Sequence, residues 1–205
     1  MKKQILLATS NQNKVREMKD DLLIFFDDVL SLKDVNLTID VEETGTTFLE
    51  NSKIKASDVS SKTNIPVLGD DSGLEIDALD GRPGIYSARF LQNESYETKC
   101  KELLKLLKDK DNREASFTCA LTYIDKINGI EKQFVGKCNG KIVDTYQECK
   151  YGFGYDPIFY SYEAHDVFGN IPKEEKFKYS HRGKAVKMFL NFLKEVYHEG
   201  NIRNR

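Results

Sequence analysis

The sequence predicts an α/β fold built around a mixed β-sheet. Two observations carry that reading. Strand-like apolar runs alternate with helical patterns along the 205 residues, an order that layers helices on a sheet. A hairpin signal, Lys126-Ile127-Asn128-Gly129, separates two extended segments in mid-chain, and a hairpin brings antiparallel pairing that a purely parallel sheet lacks.

Residues 5–8 form an apolar run of the buried-strand type, and Val15, Met18, Leu22 and Phe25/Phe26 recur behind it at helical spacing. Ser10 or Asn13 is placed to cap that helix. Residues 29–30 and 35–41 read as extended pieces. Thr47 and Glu50 form a capping box that opens a helix to about residue 62. Residues 65–68 read as a short strand ended by Gly69-Asp70-Asp71-Ser72-Gly73, and residues 74–79 alternate in strand fashion up to the turn at 80–84. Residues 96–108 are helical, with Leu103, Leu104, Leu106 and Leu107 as the apolar stripe. Strands are predicted at 115–124, 131–135 and 141–144, then a loop at 152–157 and a short strand at 158–160. A helix over 180–197 closes the chain, and the tail at 200–205 is expected to fray. With no linker-like stretch, the chain reads as one domain.

Lys and Arg number 31 against 33 Asp and Glu, for a net charge of −2. No basic field favours nucleic acid, so a polyanionic ligand needs locally placed cations or a metal. No apolar stretch approaches a membrane span, and the run behind Met1-Lys2-Lys3 is too short for a signal core. The four cysteines, Cys100, Cys119, Cys138 and Cys149, lack zinc-type pairing and fit reduced thiols in a cytoplasmic protein.

Four places can carry chemistry. Thr9-Ser10-Asn11-Gln12-Asn13-Lys14 joins strand to helix without glycine; its hydroxyls, amides, ammonium and free helix-start amides can surround phosphate oxygens, or it is a polar helix cap. A lysine there opposes the helix dipole, and a bound anion would compensate it. Asp70-Asp71-Ser72 places two acids at a strand's end, where hard oxygen ligands suit magnesium; neighbours point opposite ways in an extended chain, so one of them faces a ligand. The alternative is an Asx turn. Phe153-Gly154-Tyr155-Asp156 can stack on a flat base while Asp156 accepts from a ring N–H, or it anchors a loop to the core. Lys176, His181 and Arg182 lie in a cationic run before the last helix; His181 and Arg182 are donors that suit a keto oxygen, or the run is a solvated basic face.

These motifs together resemble the inosine triphosphate pyrophosphatase family, also called dITP/XTP pyrophosphatases. The matching stretches are LLATSNQNKVREM, EETGTTFLENSKIKA, DDSGLEIDALDGRPGIYSARF, GFGYDPIF and EEKFKYSHRGKA. The resemblance implies an elongated mixed sheet with flanking helices, two lobes around a central cleft, and a homodimer. It implies magnesium-dependent hydrolysis of deaminated purine nucleoside triphosphates (ITP, dITP, XTP) to monophosphate and pyrophosphate, cleaning the nucleotide pool. By match to its motifs, Thr9 to Lys14 hold the triphosphate, Glu42 and Asp71 bind the metal, and Asp71 is the catalytic base. Ser72 contacts substrate, and Phe153, Gly154, Tyr155, Asp156, Lys176, His181 and Arg182 bind the base. The chain departs from the family pattern at residues 148–151, at Arg82, and at Ser52, where alanine is common.

Three rival classes stand beside this one. A non-catalytic nucleotide-binding module would need no paired acids, a kinase-like phosphotransferase would need a Walker-type loop, which the sequence lacks, and a structural protein without a ligand would leave Asp70, Asp71 and Lys14 without a purpose.

Overall fold

The computed structural model describes residues 3–198, so the tail at 200–205 lies outside the described residues. Seven strands form one mixed sheet in the order β2-β1-β3-β4-β5-β6-β7. They are β1 (Gln4–Ala8), β2 (Asp28–Ser31), β3 (Val67–Ile76), β4 (Glu114–Asp125), β5 (Ile130–Ile142), β6 (Phe159–Ser161) and β7 (Asp166–Val167). β1 pairs in parallel with β2 and β3, while β6 pairs antiparallel with β5 and β7. β4 and β5 are sheet neighbours joined by residues 126–129, a connection that permits only antiparallel pairing. The helices are α1 (Gln12–Leu22), α2 (Phe48–Ser61), α3 (Tyr96–Leu106), α4 (Lys173–Tyr179) and α5 (His181–His198).

Two strands outrun their sequence expectation. β3 passes without a break through Asp70-Asp71-Ser72, which were expected to end it. Both aspartates are buried within the strand, and each has a lysine partner, so the charge does not force the chain out of the sheet. β5 is one strand where two pieces were expected, with alternating burial through Gly136 and Gly140. Gly140 is needed there: a Cβ at this position would stand 2.1 Å from the Tyr160 carbonyl oxygen of β6. The expected extended piece at 35–41 is not a strand. A 3-10 turn, Leu32–Val35, is set by a Ser31/Asp34 capping box, and irregular chain follows. α4, entered through Pro172, was not anticipated.

The chain divides into two compact units. The described part of the first comprises residues 3–71, 119–136 and 184–198. Its core includes Leu6, Ala8, Leu32, Ala56, Val59 and Val67. α2 lies close on β3 there: a Cβ on Gly69 would meet the Ser52 carbonyl oxygen at 2.4 Å and the Ala56 Cβ at 2.8 Å. Ser52 itself is fully buried, and its hydroxyl pairs with that of Thr122 at 2.7 Å. A polar partner thus accompanies the departure from alanine. The second unit comprises residues 72–118 and 137–183. Its core joins Leu74, Ile76, Leu103, Phe117, Phe159 and Phe168.

Candidate active site

In the first unit, β1 delivers the chain into residues 9–14. Asn11, in extended backbone, is the N-cap of α1. Its Oδ1 accepts from the amides of Asn13 at 3.0 Å and Lys14 at 3.4 Å, and its own amide donates to Thr9 Oγ1 at 3.2 Å. The cap is therefore Asn11, not Ser10 or Asn13, because its extended backbone aims its carbonyl side-chain oxygen at the free amides of the first turn. Ser10 is exposed, and Gln12, Asn13 and Lys14 are half-buried. The Lys14 ammonium pairs with Asp70 Oδ1, and Asp70 Oδ2 accepts from the Cys119 thiol at 3.2 Å. A built-in carboxylate thus answers the cation at the helix start, where the sequence suggested an external anion.

Beside it, Lys55 of α2 is buried with its Nζ 2.8 Å from Asp71 Oδ1 and 2.8 Å from Glu43 Oε1. Burial disfavours the ammonium, but the two carboxylates outweigh it and hold the Lys55 pKa above its ordinary value. Asp71 moves the other way in ionisation: burial raises its pKa, and Lys55 and Lys14 offset that only in part. The two directions agree once the charges are counted, since one lysine is shared between two acids. Asp71 Oδ2 is buried and accepts no hydrogen bond from the described residues.

The second unit holds the other set. Asp156 is buried, its Oδ2 accepting from Lys176 Nζ at 2.6 Å and from the Phe153 amide at 2.8 Å. Gly152, at φ +83°, makes this possible, because a Cβ there would lie 2.5 Å from Asp156 Oδ2. Lys176 Nζ also lies 5.2 Å from the centre of the half-buried Phe153 ring. Tyr155 is a core anchor: it is buried, its hydroxyl donates to the Ser87 carbonyl at 2.7 Å, and its ring meets that of Tyr96 edge-on at 5.3 Å. Of the two aromatic rings in residues 153–156, Phe153 is half-buried, while Tyr155 is buried and anchors the loop, one of the two roles the sequence left open. Gly154, at φ +66°, runs past the Tyr96 ring. Arg182 is buried and its Nη2 donates to Ser72 Oγ at 2.7 Å. His181, also buried, stacks on Phe117 with ring centres 4.7 Å apart.

The chain is similar to known proteins over nearly its whole length. The model of the Ham1 family matches residues 5–192. The chain belongs to the Ham1 family. A dITP/XTP pyrophosphatase of Leptospira interrogans (strain Fiocruz L1-130) is 42% identical over 196 residues, covering 95% of this chain and 98% of that protein. A dITP/XTP pyrophosphatase of Dictyoglomus thermophilum is 43% identical over 204 residues, covering 98% and 99%. The solved Ham1 protein of Staphylococcus aureus superposes with a TM-score of 0.83 at 37% identity, covering 94% of this chain and 99% of that one.

Within this Ham1-family chain, the sequence reading missed Lys55, and of the adjacent acids Glu42 and Glu43, which could also be solvated loop charges, it singled out Glu42. A signal for Lys55 was present: it occupies the buried face of α2 with Phe48, Asn51, Ser52, Ala56 and Val59, and a lysine at core spacing needs a partner. Of the adjacent acids, Glu43 reaches the Lys55–Asp71 pair, while Glu42 is exposed. Among the described residues no three His, Cys, Asp or Glu side chains could hold a metal by themselves. Magnesium does not require that. It is commonly held by one or two carboxylates together with substrate phosphates and water, and the unpartnered buried Oδ2 of Asp71 has the hardness and charge for such an ion.

Proposed function

We propose that this protein hydrolyses deaminated purine nucleoside triphosphates, ITP, dITP and XTP, to the monophosphate and pyrophosphate with the help of magnesium. The observation that carries the reading is Asp71: a buried carboxylate with one oxygen on Lys55 and the other without a partner among the described residues. The names of the pyrophosphatase relatives agree with it.

Asp71 and the acid loop at Glu42 and Glu43 would hold the cation, which when bound neutralises phosphate charge and acidifies water. Asp71 orients the attacking water and takes its proton. Lys55 keeps the acids in place before substrate arrives. Thr9, Ser10, Asn11, Gln12, Asn13 and Lys14 receive the phosphates, with Lys14 exchanging its Asp70 contact for the departing pyrophosphate. Such chemistry rests on alignment and charge, not on a covalent partner. The purine belongs to the other set: Phe153 offers a ring face, and Ser72, Gly154, Tyr155, Asp156, Lys176, His181 and Arg182 shape or contact the base. Buried donors from His181 and Arg182 suit a 6-keto oxygen; an adenine amino group would leave them unpaired at roughly 1–3 kcal/mol per group.

Action on free nucleotides, as a cytoplasmic homodimer, completes the proposal. The balanced charge and the four cysteines outside any disulfide support the first two parts, and the family resemblance supports the dimer, which light scattering tests. A panel of nucleoside triphosphates with and without magnesium tests the reaction. Pyrophosphate is expected from ITP, dITP and XTP, only with magnesium, and much less from ATP. Asp71→Asn is expected to cut turnover by about 10²-fold or more while nucleotide still binds. Inorganic phosphate as the product, or a fully active Asp71→Asn enzyme, would end the reading.

A further inference from the structure

Asn51 is a buried polar side chain that the mechanism does not use. It lies in the first turn of α2 and is fully buried. Its Oδ1 accepts from the Gly45 amide at 2.8 Å. Only the oxygen of a carboxamide accepts, so this contact fixes which end is Nδ2. Nδ2 is buried and has no acceptor among the described residues. An unsatisfied buried donor is costly, and an apolar residue would avoid that cost.

The neighbouring contacts give the amide a purpose. Glu50 Oε2 accepts from the amides of Thr46 at 2.6 Å and Thr47 at 3.1 Å, as a helix-capping carboxylate does. Asn51 extends this hold by one residue, to Gly45, which lies two positions from Glu43. There is no slack at the contact: a Cβ on Gly45 would stand 2.6 Å from Asn51 Oδ1 and 2.6 Å from Glu50 Cβ. Three successive amides of the acid loop are therefore gripped by two side chains of α2, the helix that also carries Lys55.

We propose that Asn51 is a positioning residue for the acid loop. Its oxygen sets where Glu42 and Glu43 stand toward the cation, and its Nδ2 gains an acceptor when triphosphate and cation bind. The proposal rests on the metal-dependent reading above.

Asn51→Ala and Gly45→Ala strike the same contact from its two sides. Magnesium binding is measured by calorimetry in the presence of the α,β-methylene analogue of ITP, beside melting temperature, kcat and KM. Both variants are expected to bind magnesium roughly 10–100-fold more weakly, as loss of partners behind metal ligands does. Excess magnesium should then restore most of kcat. Wild-type magnesium affinity in a variant that merely melts lower would assign Asn51 to folding and overturn the proposal. Unchanged affinity with a kcat that magnesium cannot restore would overturn it too. Should Asn51→Ala fail to fold, Gly45→Ala decides alone. A wild-type protein that binds magnesium but releases no pyrophosphate would refute the reaction, while the calorimetry would still judge the loop.

Discussion

Lys55 faces Glu43 and Asp71 at equal distances of 2.8 Å, so one ammonium serves two acids that would otherwise repel. Neutralising Glu43 leaves Lys55 with Asp71 alone and takes one hard oxygen ligand from the acid loop. Neutralising Glu42, whose side chain is exposed, should disturb less. Glu43→Gln is therefore expected to weaken magnesium binding by roughly tenfold or more, and Glu42→Gln by less; calorimetry with the same ITP analogue ranks them. The reverse order would make Glu42 the main ligand of the loop, as the family resemblance implies. Sequence could not make this choice. The two glutamates are adjacent and lie in a loop, where no periodicity says which side chain turns inward. The partner of Lys14 was hidden for a related reason: Asp70 is distant in sequence, and the parallel pairing of β1 with β3 brings them together.

At the scale of elements, local signals were legible where one stretch of chain decides the outcome. The Thr47/Glu50 capping box opens α2, and the apolar spacing of Val15, Met18 and Leu22 gives α1. Boundaries set by distant partners were not legible. The aspartates of β3 look like a strand's end without their lysines, and the two strand pieces expected at 131–135 and 141–144 are one strand whose Gly140 lies against β6. Nor does the sequence place the Tyr155 hydroxyl on the distant Ser87 carbonyl. The packing of α2 on β3 depends on another such glycine. Alanine at Gly69 would lie 2.4 Å from the Ser52 carbonyl oxygen, a backbone atom that cannot rotate away. Gly69→Ala should force α2 outward and cost about 1–3 kcal/mol. Because α2 carries Lys55 and Asn51, magnesium affinity should fall with it. Urea unfolding beside the calorimetry checks both, and an unchanged midpoint would mean the helix shifts at no cost.

For the whole molecule, the titrating groups that burial perturbs upward predict how stability depends on alkali. Burial, aided by Asp156, pushes the Cys100 thiol up to about 12. Burial likewise raises the phenols of Tyr155 in the second unit and Tyr123 in the first. Each of these groups holds its proton more tightly folded than unfolded. Its contribution to stability is therefore complete below the unfolded pKa, and is lost as pH climbs from there toward the folded value. The unfolded thiol ionises first, near pH 8.5, and the unfolded phenols near 10. Stability should hold level from neutrality to about pH 8.5, then fall by about 1.4 kcal/mol per pH unit for each group engaged, steepening above about pH 10. Burial raises the Cys149 thiol as well, so Cys100→Ser removes one of the thiols engaged first, and its loss of stability between about pH 8.5 and 10 should be shallower than that of the wild type. Urea midpoints taken at half-unit steps from pH 7 to 11 follow both curves. A wild-type midpoint that stays level to pH 11 would mean that these groups ionise as readily folded as unfolded, against the dry surroundings that Tyr123 and Cys100 occupy in their respective units.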